Sequence, residues 1–350
     1  MIESVGSTAV MRCVVAAVLF GASAPAASGL ASELSPFTLA GLLYLGAGLV
    51  VLPASMRQRP SAAELRAAAR PLVVAVVAGG IIGPVLLMAG LARTSAASAS
   101  LLLNLELAAT VLLAATVFRE HLGARVMSAA GLVTLSGVVL VWEPGASIDV
   151  GGLLVVGACL CWGLDNGVTA LIDQVRPEQV TFVKGLVAGS VNLVIGLVLA
   201  GAGGITTGQL VAALVIGALG YGASITWWVR GARDLGAARA QVIFASAPFI
   251  GAGIAWIVLG ESFQAPQLVA VPIALVGITL SIRSSHDHQH VHVPMNHEHE
   301  HEHGDGHHDH DHPDGFRGRH DHRHQHAAIL HTHPHVPDLP HRHLHGGPDT

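Results

Sequence analysis

Charge is scarce over most of this 350-residue chain. Its first 285 residues hold only 12 of the 23 Asp and Glu and 14 of the 18 Lys and Arg, and Lys184 is the only lysine anywhere. Of the 23 histidines, His121 alone lies in that part. A water-soluble domain of this size cannot be covered by so few charged side chains, which excludes an aqueous globular enzyme or a nucleic-acid-binding module. Cysteine is equally sparse. Cys13, Cys159 and Cys161 fall in apolar runs, with no disulfide framework and no CxxC metal pair. Walker A, nucleophile-elbow and HExxH patterns are missing too, which argues against a nucleotide-driven pump, a serine hydrolase and a zinc protease. Nothing here suggests an enzyme or requires a cofactor.

What the sequence has instead is apolar length. A bilayer core of about 30 Å takes about 20 apolar residues in a helix. Such segments recur ten times, at roughly 10–30, 36–54, 71–92, 97–117, 124–142, 151–172, 180–200, 208–229, 238–259 and 265–283. They are continuously apolar rather than alternating, which argues against a β-barrel. The first, MRCVVAAVLFGASAPAASG, has the basic start and small-residue sites of a signal peptide. Removing it leaves nine spans and breaks the repeat described below, so it counts as a helix. The predicted class is an all-α polytopic membrane protein.

Basic residues orient it. One alternate set of connections collects Arg12, Arg57, Arg59, Arg66, Arg70, Arg119, Arg125, Arg176, Lys184, Arg230, Arg233, Arg239 and Arg283, whereas the other has Arg93 alone. The positive-inside rule then places both termini in the cytoplasm, in the cytoplasmic (inner) membrane of the cell.

The chain also repeats itself. GLARTSAASASLLLNLELAATVLLAATVFREHL (90–122) aligns with GARDLGAARAQVIFASAPFIGAGIAWIVLGESF (231–263) when one inserted residue is allowed near Gly236, matching Arg93 with Arg233 and Glu120 with Glu261. LFGAS (19–23) falls opposite CWGLD (161–165), and SPFTLAGL (35–42) opposite VTFVKGL. Five helices is an odd number, so the second half enters the membrane from the opposite side. Two inverted five-helix repeats, 1–146 and 147–283, are the usual plan of a secondary transporter with its site near the midplane. A channel or a scaffold is the alternative use of such a bundle.

The layout, with LFGASAPA, NLELAATVLLAATVFREHL, CWGLDN and APFIGAGIAWIVLGESF, resembles the EamA-type permeases of the drug/metabolite transporter superfamily over residues 10–283. That resemblance implies a five-plus-five carrier of small organic solutes. The chain departs from the family pattern in the fourth helix. The proline of APF (247–249) has no counterpart there, and Glu106 or Leu107 takes its place.

Ionisable groups inside spans are costly, so each is a functional candidate. Asp165, with Asn166, lies in the sixth span, and Glu106, close to Asn104, lies in the fourth. A carboxylate away from water is disfavoured as an anion and restored by a nearby cation, so it could exchange protons. Lys184 on the seventh span can supply that cation. Trp162 shares a helical face with Asn166 four residues on. These six form the predicted solute or proton site. A purely structural cluster of Asp165, Asn166 and Lys184 joining the sixth and seventh helices is the competing reading. Asn192 suits an interhelical hydrogen bond, Glu120 and Glu261 suit structural roles at helix ends, and Trp142, Trp227 and Trp228 suit interfacial anchors. GGIIG (79–83) and GLVAG (185–189) carry small residues four apart, as close helix packing requires.

Residues 284–350 are a separate, cytoplasmic segment with the other 22 histidines. HEHEHEHGDGHHDHDH (297–312) offers His297, His299, His301, His303, His307, His308, His310 and His312 as ligands for nickel, cobalt, zinc or copper. With almost no apolar side chains, the tail is expected to lack regular structure. The partners implied are a small solute, the bilayer and divalent metal ions, and a homodimer is compatible with them. A small-solute permease leads. A divalent-metal exporter with a His-rich collecting arm and a non-transporting membrane sensor are the alternatives.

Overall fold

The computed structural model of the chain describes residues 2–57, 60–117, 124–141, 149–169, 171–172, 175–200, 205–235, 243–282, 286–292, 295–301, 320–326 and 329–335. Among the described residues ten apolar helices stand in the expected order: α1 (Ile2–Ala31), α2 (Pro36–Ser55), α3 (Ala62–Leu91), α4 (Ala96–Thr116), α5 (Ala124–Val141), α6 (Val150–Thr169), α7 (Pro177–Ala200), α8 (207–235), α9 (Ala247–Ile257) and α10 (Ala265–Ile282). Among the described residues, α1–α4 and α6–α8 are long and apolar enough to cross a membrane, while α5, α9 and α10 contain shorter apolar helices. Side-chain caps set several starts. Ser35 accepts from the Thr38 N–H and Ser95 from the Ser98 N–H, and reciprocal capping boxes join Ser61 to Glu64 and Thr206 to Gln209. Large apolar side chains such as Val194, Val198, Leu268 and Val276 stay exposed on the bundle surface, an arrangement suited to lipid.

The two halves match in detail beyond the sequence alignment. Helix α3 widens into a π-helix at Ala75–Ile82, and α8 does so at Gly217–Ala223. The Gly83 N–H reaches back five residues to the Ala78 carbonyl, and its repeat mate, the Ser224 N–H, reaches the Leu219 carbonyl. Helix α4 breaks at Leu103–Asn104, and a turn at Ala245–Ser246 stands before α9. At each break one side chain bonds back three residues: Asn104 Nδ2 donates to the Leu101 carbonyl at 2.9 Å, and Ser246 Oγ to the Ile243 carbonyl at 2.6 Å. The missing proline of the fourth helix therefore does not remove the break. Pro248 and Glu106 are the second residues of their half-helices. Proline suits that position because it has no N–H to leave unpaired, and glutamate because its charge faces the positive helix end.

Helix pairing follows the same exchange of halves. Helix α1 packs on α8 and α9, as α6 packs on α3 and α4, while α2 lies along α7 and α5 along α10. The α2–α7 contact is backbone to backbone. A Cβ on Gly185 would stand 2.6 Å from Gly48 Cα, one on Gly189 would stand 2.8 Å from the Leu45 nitrogen, and Gly196 abuts Thr38. Residue numbers rise along α2 as they fall along α7, so these mates run antiparallel, as inverted repeats must. Between helices in lipid the attraction is van der Waals packing, and residues without side chains allow the closest approach.

The tail is a unit by itself. In it β1 (His286–His292) pairs antiparallel with β4 (Ile329–His335), and β2 (Met295–His301) with β3 (His320–His326). Histidine at every second position is a strand period, and two strands alone are marginally stable.

Candidate functional site

The site is built around the π-helix of α3. Its sequence, AVVAGGII followed by Gly83 and Pro84, explains the loose backbone. Pro84 has no N–H, so Gly80 finds no donor four residues on and Gly79 none five residues on. Side chains from three other helices supply the missing donors. The Gly79 carbonyl accepts from Tyr44 Oη of α2 at 2.6 Å and from Trp162 Nε1 of α6 at 3.0 Å. Asn192 Nδ2 of α7 donates to the carbonyls of Gly80 at 3.2 Å and Ile81 at 3.3 Å. Irregular backbone at membrane depth needs such partners.

Against this segment lie the charges. Asp165 and Lys184 form an ion pair between α6 and α7, and Thr169 Oγ1 donates to the second carboxylate oxygen at 3.1 Å. The carboxylate side chain is 7% exposed and the lysine side chain 17%. Asp165 has room because residue 79 is glycine; a Cβ there would collide with its carboxylate. The repeat mates repeat the contact in neutral form: Ser23 of α1 packs against Gly220 in the π-helix of α8, where the Ser224 hydroxyl caps the Gly220 carbonyl.

The next residue after Asp165 faces α4: Asn166 Nδ2 donates to Glu106 Oε1 at 2.8 Å and lies 3.4 Å from Thr110 Oγ1. Asn166 is exposed and Glu106 half-buried, so this pair can be reached from outside the packed core. The arrangement provides a buried charge pair and, on the neighbouring face of the same helix, a carboxylate held by an amide.

Of the sequence candidates, the structure joins Asp165 to Lys184, and Glu106 to Asn166. Trp162 does not accompany Asn166: its ring is buried and its N–H faces α3, whereas Asn166 turns to α4. Asn104 is buried at the helix break and bonds only its own turn in the contacts described. Tyr44, Gly79 and Pro84 were not among the candidates. Rarity was a usable signal for Tyr44. The chain has two tyrosines, and Tyr44 and Tyr221 meet with ring centroids 6.0 Å apart. Trp227 is exposed, as an anchor should be, but Trp228 packs on Phe244. Trp142 and Glu120 lie outside the described residues.

At the end of the bundle where α9 stops, Glu261 clasps α4. Its two carboxylate oxygens accept from the backbone N–H groups of Ala96 at 2.8 Å and Ala97 at 2.9 Å. Gln267 Nε2 adds a bond to Ser98 Oγ at 3.1 Å. With Ser95 capping Ser98, the orphan donors of this helix start are satisfied by charge and hydroxyl. Helix α9 packs on residues 96–102 of α4, whereas residues 105–116 pack on α6 and α5.

Among the described residues no group of three or more His, Cys, Asp or Glu is placed to hold a metal ion. His297, His299 and His301 lie on β2, while His303, His307, His308, His310 and His312 lie outside the described residues.

The EamA-like transporter family model matches the chain twice, over residues 7–142 and 149–283. An uncharacterized transporter of Methanothermobacter thermautotrophicus is 28% identical over 287 residues, which cover 76% of this chain and 83% of the relative. One solved crystal structure superposes with a TM-score of 0.54 at 19% identity, covering 78% of this chain and 96% of its own, and speaks to the fold alone. With its two matched repeats and its ten apolar helices, the chain is a membrane transporter and belongs to the EamA-like transporter family.

Proposed function

We propose that the protein is a secondary carrier that moves a small polar organic solute across the cytoplasmic membrane by alternating access, without chemical conversion. The observation that carries this reading is the Asp165–Lys184 pair set against the π-helix of α3. A charge pair in the bundle interior is costly to build, and a glycine is kept clear for it. A solute with its own polar groups can compete for one partner, and Glu106 with Asn166 offers a second contact on α4. Asp165 or Glu106 is the group available to carry a coupled proton.

The distribution of basic residues supports both chain ends on the cytoplasmic side. On that orientation Glu261 and the start of α4 are external, and the conformation described is closed outside. The tail is a cytoplasmic metal-binding arm that buffers divalent ions or regulates the carrier. Transport of the metal itself is less well supported, because no metal-binding cluster lies among the described residues of the bundle.

Thermal-shift screening of polar metabolites and of nickel, cobalt and zinc tests this reading on purified protein. Stabilisation by an organic solute that vanishes in the double variant Asp165→Asn/Lys184→Met is the expected result. Solute stabilisation that survives the double variant removes the site from this region of the bundle.

A further inference from the structure

Helix α6 turns one side to lipid and the other into the bundle. Leu153 and Leu160, both exposed, mark the lipid side. With about 3.6 residues per turn, Asn166 stands about 120–140° round the helix from them and within about 40° of Val155, Cys159 and Trp162, all of which are buried. Yet Asn166 is exposed. Exposure on the inward side of a helix marks an opening between helices. Asp165, against Gly79 of α3 and Lys184 of α7, bounds it on one side, and the contact of Gly163 with Ala109 of α4 bounds it on the other.

The groups at this opening are unevenly supplied. Asn166 Nδ2 has two hydrogens, and its two neighbours are Glu106 Oε1 at 2.8 Å and Thr110 Oγ1 at 3.4 Å. The Thr110 hydroxyl donates to the Glu106 carbonyl at 2.8 Å. Every donor of the three side chains is therefore engaged. Glu106 Oε2 and Asn166 Oδ1 accept no bond among the described residues. What stays open is two acceptors and no donor.

Charge is unbalanced in the same sense. Asp165 and Lys184 neutralise one another, whereas Glu106 has no cation in ion-pair contact among the described residues. An amide donor orients a carboxylate but leaves its charge in place. A half-buried carboxylate at membrane depth is costly until a positive charge joins it. The other half of the protein has no such feature. Asn166 corresponds to Ala24, and Glu106 falls at Ala247 and Pro248; both alanines are buried. The polar pair is thus no requirement of the repeat's packing.

We infer that the solute is an organic cation, an amine protonated at neutral pH, and that Glu106 is the residue that takes its ammonium group. An ammonium brings three donors and no acceptor, the complement of Glu106 Oε2 and Asn166 Oδ1, and it restores neutrality to the opening. A carboxylate or phosphate solute finds the opposite: no free donor and a charge of its own sign.

This inference rests on the carrier reading and is tested apart from it. Thermal-shift titration of the full-length protein in detergent uses butylamine, 4-aminobutyrate, butyrate and butanol, which share a chain length and differ in charge. Butylamine should stabilise the parent and butyrate should not. In Glu106→Gln the half-saturating concentration of butylamine should rise about tenfold or more. Glu106→Gln/Asn166→Asp returns a carboxylate to the same contact from α6 and should recover butylamine binding to within about threefold of the parent. Melting temperatures without probe report folding of both variants. Stabilisation by butyrate or 4-aminobutyrate that equals that by butylamine, or a butylamine response unchanged in Glu106→Gln, overturns the inference. If such stabilisation vanishes in Asp165→Asn/Lys184→Met, the carrier site stands and only the cation class falls. No shift with any of the four probes also overturns the inference, while the wider metabolite screen still tests the carrier reading.

Discussion

Asp165 occupies the space that a side chain at residue 79 would need. The π-helix of α3 and the charge pair of α6 and α7 are therefore one unit, in which the absent side chain of Gly79 leaves room for the carboxylate against the residue whose carbonyl Tyr44 and Trp162 share.

Gly79→Ala should cut transport by roughly tenfold or more, since overpacking a filled site costs about 1–3 kcal/mol and the atom displaced is the carboxylate itself. Gly131→Ala is the matched control, because a Cβ there meets nothing within 4 Å. Initial uptake rates of the two variants at equal expression check this. Comparable rates in both would separate Gly79 from function.

Lys184→Met leaves a buried carboxylate without its cation, a change that typically costs about 3–5 kcal/mol, and should lower thermal stability sharply. Asp165→Asn/Lys184→Met removes both charges and should recover much of that stability while transport stays lost. Melting temperatures beside uptake rates distinguish the cases. A double variant that regains both stability and transport would mark the pair as structural only.

Glu261→Gln keeps the size of the clasp but leaves one acceptor oxygen for two backbone N–H groups, so one bond to the start of α4 loses its charge assistance and the other is lost, at a cost of about 1–3 kcal/mol. The equilibrium should shift toward separation of α4 and α9 at that end. Ala99→Cys reports it, because Ala99 is fully buried there. Its reaction with a membrane-impermeant maleimide should quicken several-fold in the Glu261→Gln background, and an unchanged rate would remove the clasp from the conformational cycle.

Ending the chain after residue 283 should leave a folded carrier that transports at the parental rate and has lost most metal binding. The bundle and the tail are separate units, so removing the tail should change bundle stability by no more than about 0.5 kcal/mol. Transport assays of the truncated protein with and without added zinc check both halves of the statement. Failure to transport under every metal condition would place the tail within the mechanism.

The helices and their inverted order were legible because span length and the matched Arg93, Glu120, Arg233 and Glu261 positions are one-dimensional signals. The Asp165–Lys184 contact was legible for a related reason: with so few charges in the bundle, two opposite ones on successive spans have few other partners. The break in α4 was not, since proline was the signal sought and Asn104 does the same work by bonding back to Leu101. GGIIG read as packing alone, because a π-helix leaves no mark on apolar periodicity. Only Pro84, placed one residue past that motif, predicts which carbonyls go unpaired.

The central claim is that an organic solute crosses through the site of Asp165 and Lys184. Counterflow in proteoliposomes, using the solute that stabilises the purified protein, measures this directly. The account predicts saturable exchange by the parent protein and by the chain ending at residue 283, and none above empty liposomes by Asp165→Asn/Lys184→Met. Exchange by that double variant at the parental rate would contradict it.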